Sequence, residues 1–174
     1  AVDVTGVPGV PYEPMQTHRL GLEIRNYVPV DNPVYDFRPS DGMRTGLASR
    51  EIVSDARCNA CHEKQTIHGG ARFQHQYCVV CHNPGSADAN SGNTVDETVM
   101  IHRIHRGADL PSLRAGGEYA IWGRGNVKHD YSGVVYPQDI RNCRGCHDEA
   151  DLATPQAANW YTVPTVEACG SCQS

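Results

Sequence analysis

Apolar residues along this chain come in short groups rather than in long runs. Two stretches near the N-terminus, HRLGLEIRNYVPV and PVYDF, alternate weakly between apolar and polar residues, which predicts short strands. From about Ser49 onward, turn-rich connectors such as NPGSADANSGN separate the apolar groups, which predicts short helices and loops. No run approaches the roughly 18 apolar residues that suggest a membrane span. The pattern therefore favours a mostly irregular fold with short α-helices and a small β element near the N-terminus.

One helix is predicted over TVDETVMIHRIHRG. Thr94 as N-cap and Glu97 three residues later form a capping box, and Gly107 ends the helix. His102 and His105 are then i,i+3 neighbours and lie on one helix face.

A second helix is predicted over CNACHEKQTIHGG, ended by Gly69 and Gly70. His62 and His68 are six residues apart on it. At 3.6 residues per turn their side chains point about 120° apart around the helix axis.

The composition gives a thin protein core. Of 174 residues, 39% are hydrophobic, with two Phe and two Trp, whereas glycines number 17 and prolines 11. A chain of this kind needs some other apolar mass to complete its interior. The net charge of −5 and the absence of a lysine-rich tract exclude a nucleic-acid binder.

The eight cysteines form four C-x-x-C pairs, and the residue after each pair separates the first three from the last. The pairs are Cys58/Cys61, Cys78/Cys81, Cys143/Cys146 and Cys169/Cys172. His62, His82 and His147 directly follow the first three, giving three C-x-x-C-H motifs, the signature of covalently attached c-type haem. Zinc ligands or structural disulfides are the alternatives, and neither explains the adjacent histidines.

The spacing of the motif has a chemical reason. Two cysteines separated by two residues on a helical turn can reach both vinyl groups of a haem from one side, and the next histidine then points at the iron as the proximal ligand. We therefore predict three haem c groups, with His62, His82 and His147 as proximal ligands.

The second axial ligand of each iron must come from elsewhere in the chain. Because there are only three methionines and six further histidines, we expect bis-histidine ligation. Ligands of one iron approach from opposite sides of the ring, so His102 and His105 must serve two different haems, or one of them serves none. By the same reasoning His68 reaches a neighbouring haem, if it reaches any, rather than the one held by His62. His129 is a further distal candidate, predicted in a loop before an extended run at residues 134–136, whereas His75 and His18 are weaker candidates.

Several stretches together resemble one pentahaem domain of the outer-membrane multihaem cytochromes of the OmcA/MtrC/UndA type, over roughly residues 28–172. The stretches that carry this resemblance are CNACHEK, HGGARF, YCVVCHNPGS, NTVDETVMIHRIHRGADLP, GGEYAIWG, KHDYSGVVYPQDIRNCRGCH and EACGSC.

The resemblance implies a multihaem cytochrome c fold whose haems form the core, with residues 49–174 as a trihaem domain and residues 1–48 as an arm or the remnant of a β-barrel domain. It implies a protein exported through the periplasm to the cell surface of the outer membrane. There it would relay electrons from partner cytochromes to metal oxides, flavins or other soluble acceptors. The proximal ligands it implies are those of the three motifs, and the distal set comes from His68, His102, His105 and His129.

The chain departs from the family pattern at its last pair, where Gln173 stands in place of histidine. This predicts a pentahaem domain cut off at its fourth site, with one distal histidine left over. Cys169 and Cys172 are then free to form a local disulfide. Calcium in the Asp-rich loops is also possible.

The leading functional hypothesis is an electron carrier rather than an enzyme. The alternative is a multihaem reductase of the nitrite or hydroxylamine type, which requires one iron with an open or lysine-filled site.

Overall fold

The computed structural model describes residues 11–26 and 29–173, so residues 27 and 28 of the first predicted strand stretch and the first ten residues of the predicted arm lie outside the described ranges. The helices and strands are short. In chain order they are β1 His18–Gly21, β2 Val34–Phe37, α1 Asp55–His62, α2 His75–Cys78, α3 Glu97–Arg106, α4 Pro111–Arg114, β3 Ala120–Gly123, β4 Val127–Asp130, α5 Asn159–Thr162 and α6 Val166–Gly170. No helix in the described ranges is long and apolar enough to cross a membrane.

The two predicted strand stretches form a small antiparallel sheet. β1 pairs with β2, with His18 opposite Phe37 and Gly21 opposite Val34. Gly21 lies directly against the ring of Tyr77, since a Cβ there would come within 2.8 Å of that ring. The prediction of two short N-terminal strands is therefore confirmed, and the sheet packs against the second C-x-x-C-H region.

Polar contacts also attach the N-terminal segment to the rest of the chain. Asn32 is fully buried; its amide donates to the Ala71 carbonyl at 2.9 Å and its Oδ1 accepts from the Phe73 N–H at 2.9 Å. Arg19 pairs with Asp36 at 2.7 Å and with Glu51 at 3.0 Å.

The apolar interior is sparse. Among the described residues, five apolar side chains are buried: Ala71, Leu110, Tyr119, Ala120 and Ala157. Three of the five are alanines, so the protein itself supplies little buried apolar area.

The α3 helix has a different N-cap from the predicted one. Asp96 is the N-cap and accepts from the Thr98 N–H at 3.0 Å, while Thr94 bonds the Asp96 N–H and the Ser86 carbonyl in the preceding turn. Both residue types are good caps, and the contact with Ser86 holds Thr94 in the turn. The predicted end at Gly107 is confirmed.

The helix predicted over residues 58–70 is wrong beyond His62. α1 ends there because Glu63 adopts a positive φ of 55° and the Asn59 side chain accepts from the Gln65 N–H, which replaces the next helical turn. Residues 67–72 instead form a tight turn closed by a bridge between Ile67 and Arg72, with His68 inside it.

The surroundings of His129 also differ from the prediction. His129 lies on β4 opposite Ile121 of β3, not in a loop, and residues 134–136 are not a strand. The sequence RGN between the two strands supplies the turn of this hairpin, with Gly125 at φ 73°.

Candidate functional site

Each C-x-x-C-H motif lies on a helical turn. The first occupies the end of α1. In the second and third, the histidine N–H donates to the carbonyl of the first cysteine, His82 to Cys78 and His147 to Cys143, both at 2.9 Å. This turn places the two thiols on one side and projects the histidine beyond them. In all three motifs the first cysteine is half-buried and the second exposed.

Every motif histidine faces a second histidine from a distant part of the chain. The ring centres of the three facing pairs are 5.9–6.3 Å apart. The pairs are His62 with His105, His82 with His68, and His147 with His102. Two metal–nitrogen bonds of about 2 Å each, plus the distance from each nitrogen to its ring centre, give roughly 6 Å between ring centres. The spacing of all three pairs fits an iron held between two imidazoles.

The helix α3 supplies two of these facing histidines. His102 and His105 lie on one face and meet different partners, His147 and His62. A single helix thus contributes to two of the three sites and fixes their separation.

Backbone carbonyls orient the rings. The Nδ1 atoms of His102 and His105 bond the carbonyls of Thr98 and Ile101, four residues earlier on the same helix, and the Nδ1 of His82 bonds the Val95 carbonyl at 2.8 Å. An Nδ1–H that donates to a carbonyl leaves Nε2 unprotonated, which is the form that binds a metal. The Nδ1 of His147 is buried beside the Ile52 backbone, short of good hydrogen-bond geometry.

The second site is open as a cleft. The thiols Cys78 and Cys81 and the facing rings of His82 and His68 line it, together with Arg72 and Tyr77. Both attachment cysteines and both facing histidines of one motif therefore border a single space.

Burial keeps several of these imidazoles neutral. It lowers the pKa of His102 and His147, and with help from the Arg72 charge it lowers the pKa of His68. A neutral imidazole is the ligand form, so iron binding at these positions displaces no proton near neutral pH.

The pKa values of Cys58 and Cys78 are shifted in the direction opposite to those of a redox-active dithiol. Burial raises the pKa of Cys58 to about 11 and of Cys78 to about 12, with the carboxylates of Asp55 and Glu97 adding to the effect. Redox-active cysteines need a lowered pKa. All eight cysteines are free of disulfides, including Cys169 and Cys172, so the local disulfide is absent from the structure. Within the described ranges, no group of three or more histidine, cysteine or acidic side chains is arranged to hold a metal ion.

The first site lies close to both of the others. Cys58 is within electrostatic range of both Cys78 and Cys146, and Cys61 is within range of Cys146. Protein contacts reinforce the approach of the first and third motifs, because Arg57 of α1 forms an ion pair with Asp148 and Ser54 donates to Asp151 at 2.6 Å. Cys172 in turn lies within range of Cys143.

The remaining histidines have other surroundings. His129 is exposed on β4, with its ring against Gly123 and no facing partner of the kind described above among the described histidines. The His75 ring forms an ion pair with Glu97 at 2.8 Å, and the His75 backbone N–H donates to the Asp55 carboxylate at 2.7 Å. The Nε2–H of His18 donates to the Glu13 carbonyl at 3.0 Å, and the ring packs against Tyr12 and Phe37.

Hydrogen bonds occupy the one carboxylate in the connector NPGSADANSGN. Asp88 accepts hydrogen bonds from the Asn90 N–H, the Ser91 hydroxyl and the Trp122 N–H, and these bonds stabilise the turn that contains it.

The sequence did not identify two residues near the sites as part of them. Tyr136 packs its ring against His105, and its hydroxyl lies near Cys146. Gly107, predicted only as a helix end, also lies against Val134, close before Tyr136 in the chain.

Comparison with known proteins gives a consistent result. The family model for outer-membrane cytochromes, MtrC/MtrF-like, domains II/IV, matches residues 50–174. The multihaem cytochrome MtrC of Shewanella baltica (strain OS185) is 30% identical over 149 residues, covering 84% of this chain and 18% of the relative.

Two solved structures match nearly the whole chain. The crystal structure of the outer-membrane decahaem cytochrome OmcA superposes with a TM-score of 0.81 and 33% identity, over 98% of this chain and 26% of that one. The crystal structure of MtrC from Shewanella baltica OS185 superposes with a TM-score of 0.68 and 26% identity, over 98% of this chain and 24% of that one. The chain thus spans about a quarter or less of the length of these relatives.

Proposed function

This chain belongs to the MtrC/MtrF-like outer-membrane cytochrome family, and we propose that it relays electrons through three closely spaced c-type haems, each held between two histidines. The observation that carries the proposal is the set of three facing histidine pairs, each composed of one motif histidine and one distant histidine.

The proposal assigns a role to each predicted site residue. Six cysteines attach the rings: Cys58, Cys61, Cys78, Cys81, Cys143 and Cys146. His62, His82 and His147 are the proximal ligands, with His105, His68 and His102 respectively as their distal partners. His129 is the fourth distal candidate and serves none of these three sites.

The arrangement of the polypeptide supports electron relay rather than substrate chemistry. Each bound haem iron supplies a one-electron ferric–ferrous couple. The facing imidazoles would occupy both axial positions of each iron, and three of them, His82, His102 and His105, are hydrogen-bonded to backbone carbonyls. This would leave no position for a substrate at these sites. The first site lies close to both of the others, since Cys58 is near Cys78 and near Cys146.

We further propose the cellular setting from the family. Residues 49–174 form the haem-binding unit, and residues 1–48 form an arm on it. The parent protein lies at the cell surface of the outer membrane, receives electrons from partner cytochromes of the conduit, and delivers them to metal oxides, flavins or other soluble acceptors.

Ligand challenge tests the proposal. The chain, produced with a haem-attachment system, should show a low-spin spectrum that carbon monoxide leaves unchanged after reduction. A His105→Ala variant is the positive control, because it opens one face of one haem and should bind carbon monoxide at that haem alone. Full carbon monoxide binding at one haem of the unmodified chain would contradict the relay and favour the reductase.

A further inference from the structure

The two facing histidines of α3 make the same kind of backbone hydrogen bond, but their rings meet those of their partners at different angles. His102 and His105 each bond the carbonyl four residues earlier. The His102 ring is 23° from the plane of its partner His147, whereas the His105 ring is 73° from that of His62. The pair at the second site is intermediate but closer to parallel, at 34°. The first site is therefore the one with crossed imidazoles.

An aromatic contact distinguishes His105 from His102. The ring of Tyr136 meets the His105 ring edge to face, with centres 5.6 Å apart and planes at 87°. An edge-to-face pair resists rotation of either ring, because turning one by 90° replaces the favourable edge contact with a clash or a gap. Within the described ranges, the His102 ring contacts no aromatic ring other than that of His147.

Tyr136 is itself held in place from two sides. Its hydroxyl lies near Cys146 of the third motif. Two residues earlier, the Val134 carbonyl accepts from the Ala108 N–H at 2.9 Å, just beyond the end of α3.

Gly107 makes this attachment possible. Its φ is 45°, and a Cβ at this position would lie 2.1 Å from the Val134 carbonyl oxygen. Only glycine allows the backbone of residue 134 to approach the helix end so closely. The segment 134–136 is thus fixed to the helix that carries His105.

We propose that Tyr136 is a positioning residue that holds the His105 imidazole crosswise to His62, and so makes the central haem site electronically different from its two neighbours. This inference rests on the proposed bis-histidine ligation. Second-shell groups set the orientation of metal-bound imidazoles in this way. Crossed imidazoles leave two iron d orbitals nearly equal in energy, whereas parallel imidazoles split them, and electron paramagnetic resonance distinguishes the two cases.

The test is the resonance spectrum of the fully ferric, haem-loaded chain. We expect two ordinary rhombic low-spin signals and one strongly anisotropic low-spin signal, the last lost in a His105→Met variant. Tyr136→Leu removes the ring edge, so the anisotropic signal should become rhombic while the number of attached haems stays the same. Tyr136→Phe keeps the ring and should keep the signal.

Tyr131→Leu is the matched control. Tyr131 lies five residues earlier and packs against Tyr119, not against a facing histidine, so its loss should leave all three signals unchanged. An anisotropic signal that persists in Tyr136→Leu would overturn the role of Tyr136. Three rhombic signals in the unmodified chain would overturn the inference whether or not the variants fold, yet leave the ligation intact. Absence of low-spin ferric signals would instead overturn the proposed function.

Discussion

The three C-x-x-C-H turns and the final C-x-x-C turn share a spacing but differ in what surrounds them. In the second and third motifs the residue after the pair bonds back to the first cysteine carbonyl, whereas the Gln173 N–H bonds Gly170 at 2.9 Å. The exposure pattern is also reversed, since Cys169 is exposed and Cys172 half-buried. Two cysteines at the right spacing thus specify only part of a site. The motif histidine and the histidine that faces it specify the rest.

Deleting cysteines should give the largest contrast between the two kinds of turn. We expect the double replacement Cys78→Ala/Cys81→Ala to lower the covalent haem content from three to two, because those thiols line the second site with both of its histidines. The matched replacement Cys169→Ala/Cys172→Ala should leave it at three. Iron and haem quantification per chain measures both, and a loss of haem in the second variant would break the comparison.

Adding the missing histidine tests the same comparison in the other direction. Gln173→His completes a fourth C-x-x-C-H motif, and we expect one additional covalent haem. Among the four predicted distal histidines, only His129 does not face one of the three motifs, so carbon monoxide binding after reduction shows whether His129 reaches the new haem. An unchanged haem count would show that the local turn, with its bond from residue 173 to Gly170, prevents attachment.

A smaller effect is expected where α3 joins the first and third sites. Gly107→Ala forces a left-handed residue and a clash with the Val134 backbone, at a combined cost of about 2–4 kcal/mol. Chemical denaturation of the haem-loaded chain measures this cost.

Gly116→Ala is the control for that substitution. Gly116 also has a positive φ, of 88°, but nothing lies within 4 Å of its Cβ position, so only the conformational cost of about 1 kcal/mol remains. Equal losses in the two variants would mean that the approach of residue 134 to the helix end contributes nothing.

The smallest effect concerns His75 and the carboxylates that face it, close to the first two sites. Burial lowers the pKa of His75, but Glu97 and Asp55 outweigh it, and the net pKa is raised. Because the folded-state pKa is above the unfolded value of about 6.5, the stabilisation is complete below that pH and is lost as pH rises through the raised pKa.

The pH dependence of unfolding measures this contribution. The free energy of unfolding of the ferric chain should fall as pH rises above about 6.5, and His75→Gln should lose this part of the dependence. His18→Gln is the control, since its ring contacts a backbone carbonyl rather than a carboxylate. The same slope in His75→Gln as in the unmodified chain would contradict the assignment.

Local chemistry in the sequence predicted the short N-terminal strands and the end of α3 at Gly107. Those features depend on residues that are neighbours in the chain. The helix through His68 was wrong because a polar segment without an apolar stripe had nothing to hold it helical, and the turn closed by Ile67 and Arg72 formed instead.

The facing pairs show where sequence reasoning stops. That His102 and His105 meet different partners follows from their spacing on one helix, but which partner each meets does not. His105 faces a histidine 43 positions away (105 − 62) and His102 one 45 positions away (147 − 102), and only the folded chain brings them together. Tyr136 was missed for the same reason, since its contact with His105 depends on the approach of Val134 to Gly107.

The intact mass of the purified chain tests the central claim most directly. Covalent attachment at three C-x-x-C-H turns predicts a mass equal to the polypeptide plus three haems, in a single species. A mass equal to the bare polypeptide, with or without bound zinc, would contradict the account.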